Sequence, residues 1–189
     1  MIDNLTLFLE SIDKNLFFLI NGFHNVPMDY LMFLISNKFI WIPLYTWLIY
    51  LIIKQKNKYR YLQLILCVTT VILADFTTSS IMKPFFERLR PCHDREINDI
   101  IHLVVTCKGL YGFASSHAST TFSLSTIMFL FYKKNKMIKF LFLWSIIVCY
   151  SRIHLGVHYP LDVIAGAGIG TLISIIINQL YKIIILKNA

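Results

Sequence analysis

The sequence predicts an all-α protein, a polytopic bundle of membrane helices, and three observations carry that prediction. Charged residues make up 15% of the 189-residue chain, against roughly 25% in a soluble domain. Hydrophobic residues make up 57%, and mean hydropathy is +0.64. The apolar residues also gather into five long stretches, and one crossing of a bilayer core takes about 20 residues. This balance excludes a large soluble domain and a disordered chain. The formal net charge is +8 and the pI about 9.4. In a membrane protein such an excess of Lys and Arg marks cytoplasmic loops, so no nucleic-acid partner is expected.

The elements follow in chain order. Residues 1–21 place Leu5, Leu7, Leu9, Ile12, Leu16, Phe17 and Ile20 at helical spacing among acids and amides, which reads as an amphipathic helix lying in the interface. Asp3, Glu10 and Asp13 stand where a secretory leader needs basic residues, so no leader is expected. Residues 15–36 are apolar but interrupted by Asn21-Gly22 and by His24-Asn25-Val26-Pro27. Segment 1–38 is therefore interfacial, or it holds a broken sixth span. The five expected spans are 39–53, 62–82, 113–132, 138–157 and 161–186, the first short enough to need flanking residues. With no repeat, low-complexity tract or linker, residues 1–189 form a single domain.

Loop charges orient the bundle. Lys54, Lys56, Lys58 and Arg60 follow the first span, and Lys133, Lys134, Lys136 and Lys139 follow the third, with no acid among them. Lys182 and Lys187 lie near the end of the chain. These segments are expected in the cytoplasm. The loop after the second span mixes Glu87, Asp94, Glu96 and Asp99 with Arg88, Arg90, Arg95 and Lys108, and falls on the extracytoplasmic face.

The unusual residues collect on that face in three clusters. They are Lys83 with Arg88 and Arg90-Pro91, then Ser115-Ser116-His117, then Ser151-Arg152 with His158 and Asp162. Each suits a phosphate. Lys83, Arg90 and Arg152 offer a point charge and two planar forks of donors. Ser115 and Ser116 at a helix start offer hydroxyls and free N–H groups. Pro160 fits the first turn of a helix, which puts His158 just outside it and Asp162 within its first turn. A carboxylate on one ring nitrogen leaves the other free to attack, and His117 is available as a proton donor.

Taken singly, each cluster has a plainer explanation. The cations at helix ends snorkel to the interface, the serines cap a helix, and an interfacial histidine is merely tolerated. His154, His158 and Asp162 recur every fourth residue, as metal ligands on a continuous helix would, but Pro160 argues against that continuity. What the plainer readings leave unexplained is the coincidence of all three clusters on one face. Asp75, Ser79 and Lys83 also share a helix face, and an acid inside a span points to function. Asp75 is either a partner for one of the clamp cations or an interhelical hydrogen bond.

Together the residues Lys83-x6-Arg90-Pro91, Ser115-Ser116-His117 and Ser151-Arg152-x5-His158-x3-Asp162 resemble the three-part signature of the type 2 phosphatidic acid phosphatases. That superfamily also includes the vanadium haloperoxidases. The resemblance covers about residues 83–170, the motif-bearing core. The middle motif departs from the usual Pro-Ser-Gly-His, since Ala114 and Ser116 replace its Pro and Gly. The resemblance implies that His158 is the nucleophile, that Asp162 orients it, and that His117 protonates the leaving oxygen and then activates water. Lys83, Arg90, Ser115, Ser116 and Arg152 would hold the phosphoryl group, with no metal or other cofactor. Arg88 lies outside the matched positions and is left as a headgroup contact.

A site at headgroup depth implies a lipid phosphate or diphosphate as substrate, with membrane lipids around it and no protein partner. Undecaprenyl diphosphate is favoured by analogy, ahead of lipid A, phosphatidylglycerol phosphate and phosphatidate. Phosphotransfer, non-catalytic binding or transport, and haloperoxidase chemistry are the rivals. Cys92 and Cys107 share the outer loop and are expected to pair in an oxidising compartment, whereas Cys67 and Cys149 lie within spans as free thiols. The Ile-, Lys- and Asn-rich composition suggests a bacterial source. The expected location is the inner membrane, with the site facing the periplasm.

Overall fold

The computed structural model describes residues 2–187, with side chains from residue 7 onward. It is helical throughout, and the described residues form no strand beyond an isolated Leu89–Tyr111 bridge. Helix α1 spans Ile2–Asn21. Helix α2 spans Val26–Ser36, where the Asn25 side chain caps the Met28 amide at 2.9 Å and Pro27 sits in the first turn. A 3₁₀ turn, Lys38–Trp41, then leads into α3, Ile42–Lys54. The two arms Val26–Ser36 and Lys38–Lys54 are bent by 64° to one another, and together they are long and apolar enough to form one broken span. The short stretch expected at 39–53 is thus the second half of a broken element.

Helix α4, Arg60–Phe76, runs through a π-helical stretch, Thr77–Met82, into α5, Lys83–Phe86. Glu87 ends it in the left-handed conformation at φ 47°. Helix α6 is Ser116–Phe131, α7 is Phe140–His154 and α8 is Pro160–Lys187. Among the described residues three helices are long and apolar enough to cross a membrane, or four elements if the bent pair counts as one span. The remaining stretch expected to cross, 113–132, corresponds to α6. Its 16 residues reach about 24 Å, against a hydrocarbon core of about 30 Å. Ala118, Ser119, Thr121, Ser123, Ser125, Thr126, Ile127 and Met128 are all buried in it. A helix wrapped by other helices meets protein in place of lipid, and needs neither full length nor full apolarity. The bundle's exterior carries the large aliphatics, among them Ile65, Val68, Ile72, Ile164, Leu172 and Ile176.

Small residues let α6 and α8 touch. A Cβ on Gly166 would run into the Ser115 carbonyl, and one on Gly170 into the Ser119 carbonyl. One turn further on, Ser174 Oγ donates to the Ser123 carbonyl at 2.9 Å. Gly166, Gly170 and Ser174 recur every fourth residue, a small-residue stripe suited to close helix pairing. Gly168 has open space around it, which makes it an internal control. Gly170→Ala is expected to lower stability by about 1–3 kcal/mol through overpacking. Gly168→Ala should leave stability unchanged or slightly raised. Thermal unfolding of both variants in detergent checks the pair.

Helix α1 packs differently from the expected stripe. Asp13, Phe17 and Asn21, each 0–1% exposed, form its inward face. Leu7, Leu9, Ile12 and Leu16 point outward, and the side chain of Leu5 lies outside the described residues. Phe17 meets the ring of Tyr159 edge to face at 5.5 Å. Asn21 donates to the carbonyls of His102 (2.7 Å) and His154 (2.9 Å), and accepts from the His102 amide at 2.8 Å. One buried amide thereby ties α1 to the loop expected on the outer face, residues 87–115, and to the end of α7.

Candidate active site

The outer loop is pinned at three points. Arg90 N donates to Leu110 O (3.1 Å), Gly112 N to Arg88 O (2.8 Å), and Ser115 N to Asp162 O (2.9 Å). These bonds draw the ends of α5, α6, α7 and α8 together. Cys92 and Cys107 face each other across the loop with Cα atoms 6.4 Å apart and their sulfurs in bonding contact.

Helix α7 stops at His154, Gly156 turns the chain at φ 79°, and α8 begins at Pro160. That break parts His154 from His158 and Asp162, as Pro160 foretold. His158, 2% exposed, sets Nδ1 3.3 Å from Asp162 Oδ2 and Nε2 3.2 Å from Arg90 Nη1. A guanidinium only donates, so Nε2 is the unprotonated, accepting nitrogen and Nδ1 carries the proton. Burial, then the charges of Arg90, Arg152 and Lys83, hold the imidazole well below its ordinary pKa. The ring therefore stays neutral, with its lone pair available.

Asp162 is fully buried and fully engaged. Its Oδ2 also accepts from Tyr159 N at 3.0 Å, and its Oδ1 accepts from Arg88 Nη1 at 2.8 Å. Arg88 reaches on to Asp13 Oδ2 at 2.5 Å, and Asp13 Oδ1 accepts from Leu161 N at 2.8 Å. Arg88, read from sequence as a headgroup contact, is thus a strut between two buried carboxylates and stacks over Tyr159 at 4.5 Å. Asp13, read from sequence only as an acid that counts against a leader, was not recognised as part of the site. Its one signal was an acid in register with Phe17 and Asn21 on the inward face of α1.

The cations gather around this dyad. Lys83 Nζ donates to Ser116 Oγ at 2.8 Å, and that hydroxyl also meets Ser79 Oγ (2.8 Å) and Thr78 Oγ1 (3.0 Å). Ser79 in turn donates to Asp75 Oδ1 at 3.3 Å. The added Ser116 side chain is therefore the anchor of Lys83, and Asp75 reaches that cation through two hydroxyls. Arg90 Nη1 also donates to the Val157 carbonyl, and Arg152 Nη1 donates to Ser36 Oγ. Arg90 Nε, Arg152 Nε and Ser115 Oγ are buried and make no hydrogen bond among the described residues. A buried donor of this kind is costly unless a ligand engages it.

His117, in the first turn of α6, lies within electrostatic reach of Arg152, His158, Lys83 and Arg90. It also lines a cavity of about 970 Å³ whose other walls include Ser116, Asp75, Tyr45, Leu48 and Val68. The structure therefore brings Lys83, Arg90, Ser115, Ser116, His117, Arg152, His158 and Asp162 to one end of the bundle. Such an arrangement suits in-line transfer of a phosphoryl group to a histidine.

Known proteins are similar to this chain. A lipid A 4′-phosphatase of Bacteroides thetaiotaomicron is 34% identical over 166 residues, covering 86% of this chain and 74% of that protein. An undecaprenyl-diphosphatase of Sulfolobus acidocaldarius is 29% identical over 168 residues, covering 87% and 76%. The crystal structure of Aquifex aeolicus LpxE superposes with a TM-score of 0.66 at 29% identity, covering 87% of this chain and 93% of that one. The profile described as the PAP2 superfamily matches residues 60–185. A membrane helix bundle with this signature and these relatives belongs to the PAP2 superfamily, and is one of its phosphatases.

Proposed function

We propose that the chain hydrolyses a lipid phosphate at the outer membrane face, without a metal, through a phosphohistidine. The observation that carries this reading is the set of buried donors without a partner among the described residues, Arg90 Nε, Arg152 Nε and Ser115 Oγ, brought with His158 to the end of the bundle where Ser116 and His117 line a large cavity. That cavity is lined mainly by aliphatic and aromatic side chains of α3, α4 and α6, the chemistry an acyl or prenyl tail needs.

His158 Nε2 attacks phosphorus, the bond from phosphorus to the lipid oxygen breaks, and His117 gives that oxygen a proton. Water then attacks the phosphohistidine as His117 accepts a proton from that water, the bond from phosphorus to His158 Nε2 breaks, and inorganic phosphate leaves. Asp162 keeps the proton on Nδ1, while Lys83, Arg90 and Arg152 neutralise the charge that grows on the equatorial oxygens. The five-span arrangement, with α6 as a short enclosed crossing and α1 in the interface, puts the Lys-rich loops in the cytoplasm and this site on the other side. Cys92 and Cys107 form a disulfide there, and intact mass before and after reduction checks it.

For the lipid, a lipid A-type phosphomonoester takes first place on the higher identity of that relative. Undecaprenyl diphosphate, favoured from sequence, is the second reading and rests on the Sulfolobus relative. Phosphate release by detergent-purified protein with EDTA present, from both lipids, phosphatidate and phosphatidylglycerol phosphate, ranks them. No release from folded wild type, with lipid still bound, would replace hydrolysis by transfer or binding.

The neutral imidazole has a pH signature. The acid limb of kcat/KM due to His158 should fall below the ordinary histidine value of about 6.5, after allowance for the substrate's own phosphate titration. Stability has a matching sign. The unfolded ring takes a proton as pH drops through about 6.5 while the folded ring does not, so stability declines with acidification from there. A limb at or above that value would show that His158 is not held neutral.

A further inference from the structure

A second cluster of ionisable side chains lies apart from the dyad, and the proposed reaction leaves it unused. Asp29, in the first turn of α2, sets Oδ2 2.9 Å from His102 Nε2 and Oδ1 2.9 Å from His154 Nε2. His24, from the link between α1 and α2, stacks on His102 with centroids 3.6 Å apart and planes within 5°. Ligand atoms of His24, Asp29 and His102 all lie within 4.8 Å of one another. A hydrogen-bonded pair of histidines on Asp29 accounts for His102 and His154, and leaves the stacked His24 ring without a role.

We infer that His24, Asp29 and His102 form a binding site for a divalent transition-metal ion of the zinc class, separate from the catalytic centre. Two imidazoles and a carboxylate, with water completing the shell, are a donor set that zinc and its neighbours take. Asp29 Oδ2 and His102 Nε2, 2.9 Å apart as a hydrogen-bonded pair, need to part by only about 0.5 Å to reach the tetrahedral edge of about 3.4 Å between ligands each about 2.1 Å from one ion.

Two of the three ligands are held in advance. The backbone of His102 is fixed on both sides by the buried Asn21 amide. Asp29 is steadied through its other oxygen by His154, which is fully buried, as supporting hydrogen bonds steady ligating carboxylates elsewhere. His24 is exposed and free to swing out of the stack onto the ion. Binding replaces the hydrogen bond between Asp29 and His102 with a bond from each to the cation, and it weakens with acidification because protonated imidazole and carboxyl groups are not ligands. The ion would join the α1–α2 link and α2 to the outer loop, and so clamp the N-terminal helices onto the motif-bearing core.

The test uses the full chain in detergent, without reductant so that Cys92 and Cys107 stay paired, stripped with EDTA and desalted. Zinc titrated by calorimetry should bind one ion per chain and raise Tm, and cobalt should give a visible absorption band. His24→Ala removes an exposed ring, and His102→Ala keeps the backbone bonds to Asn21. Each should fold as wild type does and weaken zinc binding at least about tenfold. Absence of zinc binding by wild type would overturn the proposal. So would binding undiminished in both variants, which would assign the ion elsewhere, for instance to His93 beside the two cysteines. Neither outcome bears on phosphate release, which is assayed with EDTA present.

Discussion

His158→Gln is expected to lower phosphate release at least about 10⁴-fold, with kcat falling far more than KM rises. The glutamine keeps bulk and polarity in a site where His158 is 2% exposed, so the fold should persist and lipid should still bind. The cations remain, and they retain the phosphoryl group without a nucleophile to accept it. Single-turnover labelling with a radioactive phosphoryl donor should give an acid-labile, base-stable phosphoenzyme in wild type and none in the variant. An equal loss in His158→Gln without any labelled intermediate in wild type would move the role of His158 from nucleophile to base.

The second large effect belongs to Arg88. Arg88→Met should destabilise the protein by about 3–5 kcal/mol, because it strands two buried carboxylates without their shared cation. Asp162 and Asp13 are 0% and 1% exposed, and Arg88 is bonded to both. Activity should fall as well, since Asp162 then loses the partner that fixes its Oδ1 while Oδ2 serves His158. Arg88→Lys restores the charge but not the fork, so partial recovery of stability with a lower kcat is expected. Asp13→Asn offers the milder probe. It keeps a carbonyl for the Leu161 amide and leaves Arg88 with Asp162, so a drop in kcat with near-normal Tm would mark Asp13 as a positioning residue. A purely structural Asp13 would shift Tm and leave kcat alone.

Much of the site was legible in the sequence because its chemistry needs particular residue types at fixed spacing. Lys83-x6-Arg90 and Arg152-x5-His158-x3-Asp162 each sit on one connection between helices, so local geometry carries the spacing into space. Asp13 and Ser36 were not legible. Each meets a residue more than 70 positions away, at Arg88 and Arg152, and nothing local to either marks the partner. The count of crossings was legible in part: three helices, or four elements with the bent pair, are long and apolar enough among the described residues, and α6 is shorter. Hydropathy reports how a helix meets lipid, and α6 meets other helices. The aliphatic stripe of α1 was legible and looks outward, whereas nothing in the sequence showed that Asp13 and Asn21 find their partners within. The π-helical stretch at Thr77–Met82 left no sequence signal, yet Ser79 and Lys83 still converge on Ser116.

The Asn21 amide has a consequence for how the protein ages. Asn followed by Gly is the pair most prone to lose its side-chain nitrogen, because the following backbone nitrogen can attack the side-chain carbonyl. Here the Gly22 nitrogen donates to the Phe18 carbonyl at 2.8 Å, and the side chain it would attack is locked onto His102 and His154. Folding therefore protects Asn21 from its own neighbour. A chain that stays unfolded acquires a carboxylate at this position, where the folded protein needs a donor for two carbonyls. Delay in folding would become permanent, written into the covalent structure as a residue the bundle can no longer accommodate.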